Sequence, residues 1–78
     1  MEVVFTNHAL ERMKKYDFPS TLVLESLENP DRIELSNNKR KIAQKRLNGY
    51  VLRVIYEENR NLYTIITVYR AKRERYEI

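Results

Sequence analysis

The dipeptide Asn48-Gly49 contains the only glycine of the 78-residue chain and constrains the fold more than any other local feature. Both central residues of a type I′ turn have positive φ, which asparagine and glycine adopt at low cost. Apolar and polar residues alternate on both sides of the dipeptide, as they do in antiparallel strands. The dipeptide therefore predicts a β-hairpin whose register extends through three cross-strand pairs: Leu47–Tyr50, Arg46–Val51 and Gln44–Arg53.

The spacing of apolar residues changes near Asp31. Before this point, spacing and capping residues predict two helices, one from Thr6 or Asn7 to about Lys15 and one from Thr21 to about Glu28. After it, a spacing of two predicts four strands: one around Ile33 and Leu35, then Lys39–Leu47, Tyr50–Glu58 and Leu62–Tyr69. Met1–Phe5 is either a short strand or a lead-in to the first helix.

This order of elements predicts a single domain, residues 1–78, of the α+β class. We expect two N-terminal helices packed on one face of a twisted antiparallel sheet of about four strands. A chain this short buries only about 60–65% of its unfolded surface, so its core is marginal. Such domains often depend on a partner or a second copy, and a homodimer is one expectation.

Strand parity assigns side chains to the two faces of the sheet, because paired residues point the same way. With a three-residue loop at 59–61, Arg53 is expected opposite Thr67, and Val51 opposite Tyr69. The face under the helices is then expected to hold Ala43, Leu47, Leu52, Val54, Ile66 and Val68.

The opposite face gathers polar groups suited to holding a phosphate: Gln44, Arg46, Arg53, Thr67 and Tyr69. An ordinary solvated sheet face is the alternative interpretation. The same face is expected to carry three isoleucines: Ile42, Ile55 and Ile65. Three isoleucines on an open face indicate that a partner chain or a bound segment covers it.

Charge is unevenly distributed, with a net charge of −2 over residues 1–30 and +6 over residues 31–78. A basic half indicates a polyanion partner such as RNA or DNA, although a solubilising surface has the same composition. The residues expected to contact the RNA backbone are Gln44, Lys45, Arg70, Lys72 and Arg73. Three tyrosines are candidates for base stacking: Tyr63, Tyr69 and Tyr76.

Other function classes find little support. The chain has no cysteine, which removes disulfides and thiolate metal sites and makes the cytoplasm the simplest expected location. The apolar runs are too short to span a membrane. A single glycine does not permit a glycine-rich phosphate loop, and no carboxylate spacing indicates a metal, so we expect no cofactor.

His8 is the only histidine and is predicted in the first turn of the first helix, where the helix dipole favours a neutral imidazole. Arg12, four residues later, shares its helix face. Metal-independent RNA cleavage needs a base that takes the 2′-hydroxyl proton and cations that stabilise the phosphate. Capping or packing is the alternative role for a lone histidine.

Four segments resemble domain-of-unknown-function family 4258: HALERM (8–13), VLESLENPDRI (23–33), GYVLRVIYEE (49–58) and TIITVYRAKRERY (64–76). The ending YRAKRERY is also similar to the C-terminus of BrnT toxins, and both groups are placed near the RelE-like fold. The resemblance implies a RelE-like sheet, a toxin that cleaves mRNA, in some relatives at the ribosome, and a cognate antitoxin protein as partner. By matching, five residues take the family's motif positions: His8, Arg12, Arg53, Thr67 and Tyr69.

These observations lead to the hypothesis of a metal-independent endoribonuclease of the toxin–antitoxin kind. His8 would be the general base or acid. The phosphorane would be stabilised by Arg12, Arg46 and Arg53, and Thr67 and Tyr69 would position the phosphate or donate a proton. The alternative hypothesis is a non-catalytic RNA- or protein-binding module, an inactive relative of such toxins.

Overall fold

The computed structural model describes residues 2–73, which form two helices and one five-stranded sheet. In chain order the elements are β1 (Glu2–Phe5), α1 (Asn7–Tyr16), α2 (Ser20–Glu28), β2 (Arg32–Leu35), β3 (Lys41–Leu47), β4 (Tyr50–Asn59) and β5 (Leu62–Lys72), with a 3₁₀ turn at Asn37–Lys39. The strands lie in the order β1-β5-β4-β3-β2. β1 runs parallel to β5, and all other neighbours are antiparallel.

The predicted four-stranded, wholly antiparallel, RelE-like sheet is therefore wrong, although the chain is α+β with two helices. β1 is a fifth strand, in which Glu2 lies opposite Leu62 and Phe5 opposite Ile65. The sheet is mixed because of this one parallel pair. Local periodicity does not predict the pair, since it joins segments at opposite ends of the chain.

Thr6 fixes where α1 begins. Its hydroxyl oxygen accepts a hydrogen bond from the Ala9 N–H at 3.1 Å, which is the usual action of a threonine N-cap. The same hydroxyl donates to the carbonyl of Ile66 at 2.8 Å, and the Thr6 N–H donates to the carbonyl of Ile65 at 3.1 Å. The start of the helix is therefore attached directly to β5. Asp17, in the left-handed conformation, ends the helix.

The predicted register of the central hairpin is confirmed. β3 and β4 pair through Leu47–Tyr50, Arg46–Val51 and Gln44–Arg53. Gly49 has a φ of 79°, but Asn48 does not have a positive φ, so the predicted type I′ turn is wrong and only the glycine position of this turn is left-handed.

The predicted register between β4 and β5 is wrong by two residues. The connecting turn is Arg60-Asn61, because Asn59 already pairs with Leu62. A bulge then omits Ile66 from the ladder, between the pairs Tyr56–Ile65 and Ile55–Thr67. The combined effect places Arg53 opposite Tyr69 and Val51 opposite Ala71.

The bulge also changes which isoleucine lies under the helices. Ile65, predicted on the open face, is fully buried in the core, and Ile66, predicted in the core, is not part of it. The buried core comprises Ala9, Met13, Val23, Ala43, Leu52, Val54, Tyr56, Ile65 and Val68. The sheet thus has a helix-covered face and a second face, which we call the open face.

Replacing Thr6 with valine removes both hydrogen bonds of the hydroxyl while keeping the side-chain shape. We expect the free energy of unfolding to fall by about 1–2 kcal/mol, because a helix cap and a long-range bond are lost together. Urea unfolding followed by circular dichroism measures this loss. Thr21→Val, at an exposed position of α2, is the matched control and should change stability by less than about 0.5 kcal/mol. Equal losses in the two variants would contradict this role of Thr6.

Candidate nucleic-acid interface

Arg53 is the centre of a polar network on the open face. Its Nε donates to the Tyr69 hydroxyl at 2.6 Å, its Nη1 to Gln44 Oε1 at 2.7 Å, and its Nη2 lies 3.3 Å from Glu34 Oε2. The bulge makes the first bond possible, because it places Tyr69 directly opposite Arg53. Three of the predicted site residues therefore meet, together with Glu34, which the sequence did not single out.

This network is internal rather than an open phosphate cradle. Gln44 has no exposed surface and Arg53 retains only 5% of its own. A phosphate approaching Arg53 would compete with a carboxylate already held there. Gln44 Nε2 is buried and has no hydrogen-bond partner among residues 2–73. We interpret the network as a structural feature that fixes the pairing of β3, β4 and β5.

Arg46 and Thr67 do not join the network through a hydrogen bond within residues 2–73. The Arg46 N–H donates to Asp31 Oδ2 at 2.7 Å, and its guanidinium lies 3.8 Å from the same carboxylate. The hydrogen bond from the Arg46 backbone is the main cause that lowers the pKa of Asp31. Thr67 is half-buried opposite Ile55.

The two arginines provide a test of this interpretation. Arg53→Met leaves buried acceptors without their donor, and we expect a loss of about 2–4 kcal/mol in the free energy of unfolding. Arg46→Met, on the same face, removes one exposed ion pair and should cost less than about 1 kcal/mol. Chemical denaturation of both variants gives the comparison. A marginal effect of Arg53→Met would show that the network does not stabilise the sheet.

His8 and Arg12 lie on the other side of the molecule. α1 packs against the helix-covered face through Ala9 and Met13, whereas Arg53 and Tyr69 meet on the open face. His8 is exposed and Arg12 half-exposed, and neither makes a hydrogen bond or ion pair with another residue of the described chain. The predicted catalytic residues therefore form two groups separated by the sheet.

A second cluster of cations and aromatic rings lies where α1 ends. The guanidinium carbon of Arg70 is 5.6 Å from the ring centroid of Tyr16 and 5.0 Å from that of Tyr50. The ammonium of Lys15 lies 5.6 Å from the Tyr16 ring. Cations at these distances are attracted to aromatic rings. The contacts connect the C-terminal end of α1 to the strands β4 and β5.

The next residues of β5 continue this cluster. Lys72 lies opposite Tyr50, and the Arg73 N–H donates to the Gly49 carbonyl at 3.4 Å. Gly49, Tyr50, Lys72 and Arg73 line an open groove of about 410 Å³. Tyr50 is 40% exposed there, so its ring is accessible from solvent.

We call the following set the basic stripe: His8, Arg12, Lys15, Tyr16, Tyr50, Arg70, Lys72 and Arg73. Its helical part has positions i, i+4, i+7 and i+8, which share one flank of α1. Because Thr6 is bound at Ile66 and Tyr16 contacts Arg70, α1 runs along β5. The flank that begins at His8 therefore leads towards the groove at Tyr50.

The cations of the basic stripe have no carboxylate partner among residues 2–73. Elsewhere in residues 2–73 four ion pairs bring surface cations to carboxylates: Arg40–Glu57, Lys41–Glu58, Lys45–Glu25 and Arg46–Asp31. Within the same part of the chain, no carboxylate lies within 4.0 Å of Lys15, Arg70, Lys72 or Arg73. Among residues 2–73, the stripe is thus a region of positive charge that no carboxylate pairs.

The residues predicted to contact RNA fall into two groups, one inside the basic stripe and one outside it. Arg70, Lys72 and Arg73 belong to the basic stripe. Lys45 is engaged elsewhere, since its ammonium donates to the Asn29 carbonyl at 2.9 Å, and Gln44 is buried. Of the tyrosines predicted to stack on bases, Tyr63 packs on Tyr56 at 5.5 Å, and Tyr76 lies outside the described residues.

Sequence reasoning missed three residues of the stripe: Lys15, Tyr16 and Tyr50. Lys15 could have been predicted, because it lies seven residues after His8 and therefore on the same flank of the helix. Tyr16 and Tyr50 could not have been predicted, because they belong to the stripe through their contacts with Arg70. The position of Arg70 follows only from the observed register of β5.

The described part of the chain has neither of two common patterns, a cluster of metal-ligating side chains and a membrane-spanning helix. No three His, Cys, Asp or Glu side chains there lie close enough to share a metal ion. No helix there is both long and apolar enough to cross a membrane.

The fold and the basic stripe define a small α+β protein with one strongly cationic surface. The family model described as a domain of unknown function (DUF4258) matches residues 5–70, and the chain belongs to this family. No curated protein and no solved structure shows a significant match.

Proposed function

We propose that this protein binds single-stranded RNA along the basic stripe. The supporting observation is the meeting of four cations that have no carboxylate partner among residues 2–73, Lys15, Arg70, Lys72 and Arg73, with the rings of Tyr16 and Tyr50 at one end of the molecule. Phosphates attract such cations with a gain from counterion release. Exposed aromatic rings beside them are the usual platform for unpaired bases.

The preference for single strands follows from Tyr50. Its ring is exposed beside the groove while Arg70 occupies a position near it. An unpaired base can stack on such a ring, whereas bases inside a duplex are already stacked on each other. The phosphates on either side of that base would lie against Lys72 and Arg73, with Arg70 held in place by both tyrosines.

The proposal predicts how binding depends on salt. Lys72→Gln and Arg73→Gln should each weaken binding of a labelled single-stranded RNA and lower the dependence of log affinity on log salt by about 0.7, because each removes one phosphate contact. Fluorescence anisotropy at several salt concentrations measures both quantities. Arg40→Gln, at the other end of the sheet and paired with Glu57, is the control and should leave the slope unchanged. Unchanged slopes in all three variants would exclude the basic stripe as the RNA surface.

A second candidate function is the endoribonuclease of a toxin–antitoxin pair. It is favoured by the position of His8, which is exposed in the first turn of α1 with Arg12 one turn later on the same flank. His8 would take the proton of a 2′-hydroxyl, the 2′-oxygen would attack phosphorus, and the bond to the 5′-oxygen would break. The leaving 5′-oxygen would take a proton from water, so that the products would be a 2′,3′-cyclic phosphate and a 5′-hydroxyl.

In this candidate mechanism Arg12 would stabilise the charge on the phosphorane. The cations of the stripe would hold the strand on the 3′ or 5′ side of the cleaved bond. Arg53 and Tyr69 have no direct part in it, because they are bound to each other on the open face. A cognate antitoxin protein would then neutralise the enzyme.

Cleavage is tested with purified wild type and His8→Ala on the same RNA. We expect a loss of at least about 100-fold in rate when the general base is removed, with RNA affinity within twofold of wild type. Denaturing gels and detection of the cyclic phosphate measure cleavage.

Induced expression tests the toxin role: growth arrest relieved by a neighbouring small gene is expected. Salt-dependent RNA binding without cleavage or growth arrest would exclude the endoribonuclease and leave RNA binding as the function.

A further inference from the structure

β2 is the outermost strand of the sheet, and its outer edge pairs with no other strand among residues 2–73. Two large apolar side chains of this four-residue strand are exposed: Ile33 by 49% and Leu35 by 81%. Both point to the helix-covered face, because they pair with Ala43 and Lys41. α2 packs on β3 and β4, so it leaves this edge uncovered.

The outer edge also presents backbone groups ready for pairing. In an antiparallel ladder, hydrogen-bonded and non-hydrogen-bonded pairs alternate. The Ser36 N–H donates to the Arg40 carbonyl at 2.8 Å, one step beyond the Leu35–Lys41 pair. By alternation, the N–H and C=O groups of Ile33 and Leu35 are directed away from β3, towards the open edge.

We propose that two copies of this chain associate through their β2 strands in an antiparallel pair centred on Ile33. Each Ile33 then lies opposite the Ile33 of the other copy, and the two exchange both backbone hydrogen bonds. Arg32 of each copy lies opposite Glu34 of the other, on the open face. The two sheets join into one continuous ten-stranded sheet. This proposal does not depend on RNA binding.

Charge selects this register over its neighbours. Centring the pair on Arg32 or on Glu34 places like charges directly opposite each other, which is destabilising. Centring it on Leu35 leaves little overlap, because β2 ends there. Only the register centred on Ile33 combines the apolar contact with two opposite-charge pairs. Short strands with charged residues often prevent edge pairing, but here the two charges are complementary to those of a second copy.

Single cysteines test the register, because the natural chain contains none. Ile33→Cys should give a covalent dimer in high yield when treated with a short bifunctional thiol reagent. Leu35→Cys is the matched control, since the two Leu35 positions would be about 14 Å apart along the paired strands. We expect little cross-linking of this variant with the same reagent. Cross-linking of Leu35→Cys in preference to Ile33→Cys would overturn the proposed register.

Charge reversal tests the interface in solution. Arg32→Glu and Glu34→Arg should each weaken self-association of the chain by about tenfold or more, because each creates two like-charge pairs. An equimolar mixture of the two variants should associate again, since the mixed pair restores opposite charges at both positions. Sedimentation equilibrium measures the three samples and the wild type.

Glu34→Arg also removes the contact with Arg53 inside the protomer, so circular dichroism first establishes that this variant is folded. If Glu34→Arg is not folded, the interface is tested with Arg32→Glu and with the two cysteine variants, Ile33→Cys and Leu35→Cys. Wild type that remains monomeric up to about 1 mM, with no cross-linking at Ile33, would overturn the proposal. A monomeric wild type is also expected if the edge binds a strand of a different protein, and self-association is then overturned in the same way.

Discussion

Thr6 is the residue on which the arrangement of this small protein most depends. Its backbone N–H and its hydroxyl both bond to the β5 bulge region, at the carbonyls of Ile65 and Ile66, while the hydroxyl oxygen caps α1. The end of β1, the start of α1 and the bulge are therefore fixed relative to one another. Because α1 then runs along β5, its last residue, Tyr16, contacts Arg70. The position of the basic stripe follows from this attachment.

The bulge at Ile66 has consequences on both faces of the sheet. On the open face it aligns Tyr69 with Arg53, and the buried guanidinium acquires a hydroxyl acceptor at 2.6 Å. On the helix-covered face it turns Ile65 into the core. At the end of β5 it brings Lys72 opposite Tyr50. One unpaired residue thus determines the core, the polar network and the groove.

Arginine has two different roles in this structure, and burial separates them. Arg53 is almost fully buried, and its charge is satisfied by protein groups, because an unpaired buried cation is strongly unfavourable. Arg70 is exposed and, among residues 2–73, is held by two aromatic rings rather than by a carboxylate. A cation held in this way keeps its charge available to an external anion. For this reason we propose Arg70 rather than Arg53 as part of an RNA-binding surface.

The sequence by itself determined the local structure: the two helices, the hairpin register at Asn48-Gly49 and the family, which the match over residues 5–70 confirms. It also indicated Arg70, Lys72 and Arg73 as one cationic group. These features depend on residues close together in the chain, where periodicity, turn preference and charge are directly visible. Tertiary structure decided the parallel pairing of β1, the bulge and the burial of Arg53. Each of these depends on contacts between distant segments, and a single unpaired residue shifts a register without changing the alternation of apolar and polar residues.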